Sequence, residues 1–477
     1  MKINQETSMF DNHFKRYQHE MGGRISVSVC EQSSLMNSAI GARICRTSKP
    51  LEELVNGEMS GDWHDMVSRI LIQFGDRSVG ELNSLFLVFE GLSIYDACFL
   101  TNRRLTSLLQ ESTRAVDMDN VAFEGDEKKA RQWLDFYHKC KPLLKRWIKV
   151  RYPRAADVDE GAYLASVKYL AFDYCREFLP LGIHTRVAMV MNARTLIACI
   201  HKWSNPFYPA AVRTVASILK NIISDRMPYL LEALNPSRNP KPWYTPLFIH
   251  RNFTDTDFEV SNNKAVLYDD GKSAVVKDID YYDAECKWIP SMEALLALRT
   301  SRFCDLPKSL EHYHATVHFR SMMFGDARDF WRHRMLTPSP ILLCSDEPCR
   351  PTVFVHGLGP VEEAVMLETE FWGIWRSMKY GEMPESERCY LLPMCARVSF
   401  SWALNLRSLI GILELRTTSN THHNVREVAQ SIARQLQIPD FFPYTSGIFI
   451  DFTTYELGRL ESQRRIAEKQ RKAQVLL

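Results

Sequence analysis

The sequence predicts an α/β (α+β) protein of two tandem domains, each with helices packed around a mixed sheet, the two forming an internal pseudo-dimer. Three observations predict this. A basic, hydroxyl-rich run, Asn102 to Arg114, follows the apolar segments Leu85–Phe89 and Tyr95–Leu100, and a second basic run, Ala327 to Thr337, follows another apolar segment. Superposing Arg104 on Arg334 lays Leu105-Thr106-Ser107 over Met335-Leu336-Thr337, and Glu81 over Glu311, each 23 positions upstream of its arginine. Farther on, Leu179-Pro180 stands as far before Asn192 as Leu392-Pro393 stands before Asn405, 12 positions from proline to asparagine. A single Arg-rich run reads as a solvated helix turn. Equal spacings at two separate places read as a duplication.

In order along the chain, Ile25–Val29 alternates as a short strand and Ser34–Ile44 as an amphipathic helix. Asp62–Phe74 has a helical apolar period through Met66, Ile70, Leu71 and Phe74, and Gly75–Ser78 is a loop. Periodicity leaves Glu81–Phe89 open between helix and strand. Ile94–Leu109 reads as one helix entering the basic run. Asp126–Val150 is a basic amphipathic helix with Trp133, Phe136, Leu143, Leu144 and Trp147 on its apolar side, stopped by Pro153. Ala162–Phe178 is a helix that ends before Pro180. Val187–Ile200 reads as a mostly apolar helix carrying Asn192 and Arg194, and Pro209–Ile223 as another.

The texture changes at residues 236–272, where Pro236, Pro240, Pro242 and Pro246 sit among Asn, Asp and Lys; this is the expected linker, with a hairpin signal at Asp269-Asp270-Gly271. The domains are therefore expected at 1–235 and 273–477. In the second, Val275–Tyr281 reads as a strand, and Met292–Arg299, Val361–Met378 and Asn424–Leu436 as helices. Ser399–Leu415 mirrors the Asn192 helix. Gly357-Leu358-Gly359 lacks the third glycine and the strand–turn–helix setting of a dinucleotide fingerprint.

At 477 residues the chain exceeds one small core, and two domains of roughly 200–240 residues suit the usual size range. A net charge of +2 argues against a protein that coats nucleic acid. The first residues carry no signal-peptide pattern, no apolar run nears the ~20 residues that span a bilayer, and the 12 cysteines are scattered. A cytoplasmic protein with reduced thiols is the expectation. His422-His423 is a weak metal hint against the commoner reading of a surface pair near a helix start, and no metal site is expected. The terminal helix, with Arg464, Arg465 and Lys469 to Lys472, reads as a solvated element.

These residues resemble the flavin-dependent thymidylate synthases (ThyX). That family's signature is R-H-R, seven residues, then Ser, with an Arg two positions on, followed later by an N-x-R-x-L helix that ends in a catalytic arginine. The first copy has Asn102-Arg103-Arg104 in place of R-H-R but keeps Ser112 and Arg114. The second keeps Arg332-His333-Arg334 but has Leu342 and Cys344 where Ser and Arg belong. Asn192 and Arg194, and again Asn405 and Arg407, match the family's flavin-contacting pair. Nine residues beyond, the second copy keeps the late arginine as Arg416, while the first has Trp203. Ser78 matches a flavin-contacting hydroxyl whose counterpart is Lys308. Arg176 matches an arginine before the Leu-Pro pair, and its counterpart is Cys389.

The resemblance implies a site shared between two family domains, here built within one chain from Arg332, His333, Arg334 and Arg416 of one copy and Ser112 and Arg114 of the other, leaving the reciprocal site decayed. Arg176 falls on the decayed side, where a structural ion pair is the available account. Arg416 is then the expected catalytic residue. Arg332, Gln110, Ser112, Thr113 and Arg114 are expected to bind substrate, and Ser78, Arg104, His333, Arg334, Asn192, Arg194, Asn405 and Arg407 to bind flavin. The implied reaction is reductive methylation of dUMP to dTMP with FAD, NADPH and 5,10-methylenetetrahydrofolate. A homodimer of two-domain chains is expected, without membrane or specific nucleic-acid partners. The chemistry suits the residues: guanidinium forks and hydroxyls bind phosphate, and a cation at the pyrimidine edge stabilises charge developing at O4, O2 and N3. A flavin- or nucleotide-binding pseudoenzyme, or a one-carbon transferase acting on a modified pyrimidine, stays open beside this.

Overall fold

The computed structural model describes residues 14–19, 23–30, 81–102, 106–119, 121–234, 247–251, 272–280, 292–436, 447–453 and 457–475. The expected helices 34–44 and 62–74, the loop 75–78, most of the linker with its hairpin, Ser78 and Arg104 lie outside the described residues. The first half contains β1 (Phe14–Gln18), β2 (Ser26–Cys30), β3 (Ser84–Ser93), α1 (Ile94–Thr101), β4 (Ser107–Gln110), α2 (Glu127–Arg151), α3 (Glu160–Cys175), β5 (His184–Asn192), α4 (Ala193–Trp203) and α5 (Ala210–Arg226). There follow β6 (Phe248–Arg251), β7 (Lys272–Asp280), α6 (Met292–Ala297), β8 (His314–Met323), α7 (Phe324–Trp331), β9 (Thr337–Pro338) and β10 (Ile341–Pro348). The chain ends with α8 (Thr352–Val355), α9 (Val361–Met378), α10 (Glu385–Leu391), β11 (Ala396–Asn405), α11 (Leu406–Arg416), α12 (His423–Leu436) and α13 (Leu460–Val475).

The duplication is written into the element boundaries. β3 and α1 recur as β8 and α7 with every limit 230 positions on (84 to 314, 94 to 324, 101 to 331). α4 recurs as α11 with both limits 213 positions on (193 to 406, 203 to 416). In both copies a strand hands over to a helix at an asparagine whose side chain accepts the N–H three residues on, Thr195 from Asn192 and Ser408 from Asn405, both at 2.8 Å. That cap satisfies one of the unpaired amides of a first helical turn.

Several expected elements are corrected. The open segment before the basic run is the strand β3. The helix expected over 94–109 stops at Thr101, and Ser107–Gln110 joins the sheet edge as β4 against Ala188 and its neighbours. The expected helix 187–200 is β5 followed by α4, and 399–415 is likewise β11 followed by α11. The alternating burial of β5 is the two-residue period of a half-buried strand, which a mostly apolar composition conceals.

The chain forms two compact units: residues 1–111, 122–124 and 183–245, and residues 112–121, 125–182 and 246–477. In the first, the sheet order is β1-β2-β3-β5-β4, and every described pairing is antiparallel, where a mixed sheet was expected. Val212, Val215, Leu219 and Ile222 of α5 are buried there. In the second, the order is β6-β10-β11-β8-β7, and the parallel β6–β10 pair makes that sheet mixed. Its core stacks Phe319 on Phe400 with ring centres 4.4 Å apart, and sets Trp402 edge-on at 4.6 Å.

The second unit also takes in α2 and α3. Trp133 and Phe136 of α2 meet Phe371 of α9, with ring centres 5.5 and 6.4 Å apart. The two Leu-Pro segments pair with each other there: Leu181 donates to Leu392 O at 2.8 Å while Met394 donates to Leu179 O at 2.9 Å. Gly182 donates to Tyr390 O at 2.7 Å while Cys395 donates to Glu177 O at 2.9 Å. Each bond returns as its partner when the two copies are exchanged (179 for 392, 181 for 394), the reciprocity of a two-fold contact. Gly359 has a packing role in place of a nucleotide one, since a Cβ there would lie 2.3 Å from the Trp147 ring.

Candidate functional site

The site is built wholly within the second unit, from both halves of the sequence. Asp326 and Asp329 lie one helical turn apart on α7, and both are buried. Arg332-His333-Arg334 leaves the end of that helix, with Arg332 and His333 half-buried and Arg334 exposed. Arg416 is the last residue of α11. Its Nε donates to His333 Nε2 at 2.9 Å, and its terminal nitrogen donates to the Asp329 carbonyl. Because His333 Nε2 accepts that bond, its ring proton sits on Nδ1. Burial, then the Arg416 charge, push the imidazole down to about 3, so His333 is neutral near pH 7 and acts as a fixed acceptor that aims Arg416.

Arg114 comes from the segment that follows β4. Its fork grips Asp173 of α3 with Nε–Oδ1 at 2.6 Å and NH2–Oδ2 at 2.9 Å, and it also donates to Asn420 O at 3.2 Å. Ser112 Oγ accepts the Arg114 amide at 3.3 Å, a short turn that sets the arginine's direction, and Thr113 between them is buried. Arg176, at the end of α3, donates to Asp326 Oδ1 at 2.7 Å and to Asp329 Oδ2 at 3.5 Å, the buried ion pair that the sequence offered as its account.

The arginines converge electrostatically on one carboxylate. Burial works to raise the Asp329 carboxyl, but Arg176, then Arg416, Arg332 and Arg114 together hold it far below the usual range. Arg416 is in turn shifted downward by burial, against Asp329, with Arg332, Arg114 and Arg176 acting in the same direction as burial. Asp173 behaves like Asp329: Arg114 first, then His422 and Arg459, outweigh burial and lower it. Guanidinium groups packed this closely, offset by buried carboxylates, form a fixed positive field suited to an anion or to charge that develops during reaction.

Arg332, His333, Arg416, Ser112 and Arg114 are thus brought together. Gln110 ends β4, while Asn192 caps α4 and Arg194 pairs with Glu81, all in the first unit. In the second, Asn405 caps α11 and Arg407 binds Leu306 O at 3.0 Å and Glu311 at 2.6 Å. The same Asn cap and Arg–Glu pair therefore occur in both copies. Trp203, where Arg416 has its counterpart, is fully buried as a core side chain.

Asp173, Asp326 and Asp329 were not anticipated; the i, i+3 acids just ahead of R-H-R were the available signal. His422-His423, read as a surface pair, is corrected: both rings are 0% exposed. They sit at the start of α12 inside the core, where His422 Nε2 meets the Asp173 carbonyl at 3.1 Å. No helix among the described residues is long and apolar enough to cross a membrane.

The chain is similar to several known proteins. Over 467 residues the chain is 25% identical to a UPF0159 protein of Chlamydia pneumoniae, covering 84% of this chain and 83% of that one. Over 459 residues it is 23% identical to a UPF0159 protein of Chlamydia muridarum (strain MoPn / Nigg), covering 84% of each. Among solved structures, ThyX from Helicobacter pylori with FAD and dUMP aligns at 19% identity and a TM-score of 0.29, over 44% of this chain and 98% of that one. The family described as thymidylate synthase complementing protein, Thy1, matches residues 30–229 and 365–439, more than half of the chain, and the chain belongs to that family.

Proposed function

We propose that this chain is a flavin-dependent thymidylate synthase-like methyltransferase that converts dUMP to dTMP, using 5,10-methylenetetrahydrofolate and NADPH, at one site assembled from both repeats. The repeats are taken as 1–235 and 273–477, joined by 236–272. The observation that carries the reading is the convergence of Arg114 from the first repeat with Arg332 and Arg416 from the second on the buried Asp329. Membership of the Thy1 family supports it independently.

In this reading Arg114, Ser112 and Thr113 hold the phosphate and sugar, and Arg332 holds the substrate beside them. Arg416, aimed by neutral His333, stabilises negative charge as it develops on the pyrimidine oxygens. The donor set fits an anionic dinucleotide: Arg334 is exposed, Arg332 half-buried, and the Arg407–Glu311 pair lies partly in solvent. Arg334, His333, Asn405 and Arg407 would hold FAD. Bound FAD would supply the hydride; the protein binds and orients.

One observation favours a second reading, flavin and nucleotide binding without turnover: the Arg114 fork is already engaged by Asp173, as a phosphate would engage it. Two measurements separate the readings. A yellow purified protein whose NADPH oxidation needs both dUMP and the folate supports the methyltransferase. Bound flavin with no dUMP-dependent oxidation supports the second reading, and turnover only with a modified pyrimidine moves the substrate and keeps the chemistry. Absence of flavin binding and of dUMP binding overturns both. A homodimer of two-domain chains is proposed as well, and a monomer on sizing chromatography would contradict it.

A further inference from the structure

Next to the arginine cluster lies a group of side chains that the proposed reaction does not use. Glu177, His422 and His423 offer one ligand atom each, all within 4.8 Å of one another, and the three residues are 2%, 0% and 0% exposed. Only the segment after α3 and the start of α12 are needed to bring them together.

Two features of the cluster point to a bound cation. His422 Nε2 lies 3.1 Å from the Asp173 carbonyl, which can only accept, so the ring donates there and its lone pair is on Nδ1. Metal-binding histidines are commonly fixed in this way, by a carbonyl that takes the other ring proton. His422 Nδ1 lies buried 3.0 Å from Asp326 Oδ1. Glu177 supplies the second feature. Its Oε2 accepts the Thr352 amide at 2.7 Å, while its buried Oε1 makes no hydrogen bond. Buried carboxylate oxygens are costly when left unmatched.

The local charges agree. Arg176 spans Asp326 and Asp329, and the Arg416 charge also acts on the Asp329 carboxylate, so two guanidiniums offset two aspartates. Glu177 remains, 2% exposed and with Oε1 unmatched. A carboxylate there asks either for a proton or for a cation.

We propose that Glu177, His422 and His423 bind one zinc-class divalent metal ion in a buried structural site. Two imidazoles and a carboxylate oxygen are a donor set that such ions accept, and an ion there would brace the fold. It would tie the end of α3 to the start of α12 and so steady Asp173 and Asp326, the partners of Arg114 and Arg176. The inference is independent of the methyltransferase reading.

The test uses the full-length protein, stripped with a chelator and reloaded with zinc or cobalt(II) alone, with flavin and activity left out of the readout. About one zinc per chain is expected, with a raised melting temperature and a tetrahedral cobalt(II) visible spectrum lacking the thiolate charge-transfer band. Glu177→Gln and His423→Asn should each weaken zinc binding by at least about tenfold, in line with the loss of a ligand. A wild-type protein that takes up no stoichiometric metal, or shows the thiolate band expected of a site built on the buried cysteines, overturns the proposal whether or not the variants fold. Folded variants that bind zinc like the wild type overturn it too.

Discussion

Arg416 and Arg176 both end helices and both reach Asp329, yet they differ in what surrounds them. Arg176 is buried between two carboxylates, so Arg176→Ala strands Asp326 and Asp329 in the core and should cost about 3–5 kcal/mol of stability, measured by urea unfolding. Arg416 is half-buried and held by two acceptors that carry no charge, the His333 ring and the Asp329 carbonyl. Arg416→Ala should therefore cost mainly turnover, by roughly 10²–10³-fold; equal turnover loss in both variants would refute the division of roles. His333 adds a pH signature. Its folded value, near 3, lies below the ordinary imidazole value, so between about pH 3 and 6.5 the unfolded chain binds a proton that the folded chain refuses. Stability from this group thus rises with pH through that window and is flat above it. Across pH 4.5–7.5, the melting temperature of the wild type minus that of His333→Gln should climb and level off near 6.5, and parallel curves would show that His333 titrates normally. The sequence made Arg416, His333 and Arg114 legible because each falls on a motif position. Their counter-ions were not legible, since Asp173 and Asp329 are one acid among many until tertiary packing buries them.

At the scale of elements, the boundary between β11 and α11 carries both structure and proposed function. Asn405 caps the helix through its side-chain oxygen, so Asn405→Ala should lose about 0.5–2 kcal/mol in denaturant melts. Asn405→Asp keeps the oxygen and should keep that stability, but it swaps the amide donor for a negative charge and should weaken flavin retention. If Asn405→Asp retained flavin as well as the wild type does, Asn405 would be a cap and nothing more. The same junction explains which elements the sequence revealed. α9 was readable at both ends because it is long and has Pro360 before it. β5–α4 and β11–α11 read as single helices because a half-buried apolar strand and an apolar helix share a composition, and only the asparagine marks the change of period. β4 was hidden for a different reason: four residues at a sheet edge gain their conformation from β5 and carry little local preference.

For the whole molecule, the repeat was legible because insertion of one gene copy after another preserves spacing even where side chains diverge, and the element boundaries keep offsets of 230 and 213 (94 to 324, 193 to 406). Spacing did not reveal that residues 112–121 and 125–182, from the first half of the sequence, cluster with the second sheet. That grouping rests on contacts between residues hundreds of positions apart, such as Trp133 and Trp147 of α2 with Tyr380 and Glu363, which no local pattern encodes. It has a consequence for the second repeat on its own. Residues 273–477 would lack α2 and α3, uncovering Phe371 and leaving the backbone groups of Leu392, Met394 and Cys395 without the partners they have at 177–182. Such a fragment should be insoluble or should pair with itself through the Leu-Pro segment, because a two-fold contact is self-complementary. Co-expression with residues 1–235 should restore a soluble 1:1 complex with a single cooperative melt, read by sizing chromatography and circular dichroism. A monomeric 273–477 that unfolds cooperatively would mean that the second half needs nothing from the first, and that the placement of Arg114 beside Arg416 is incidental to folding.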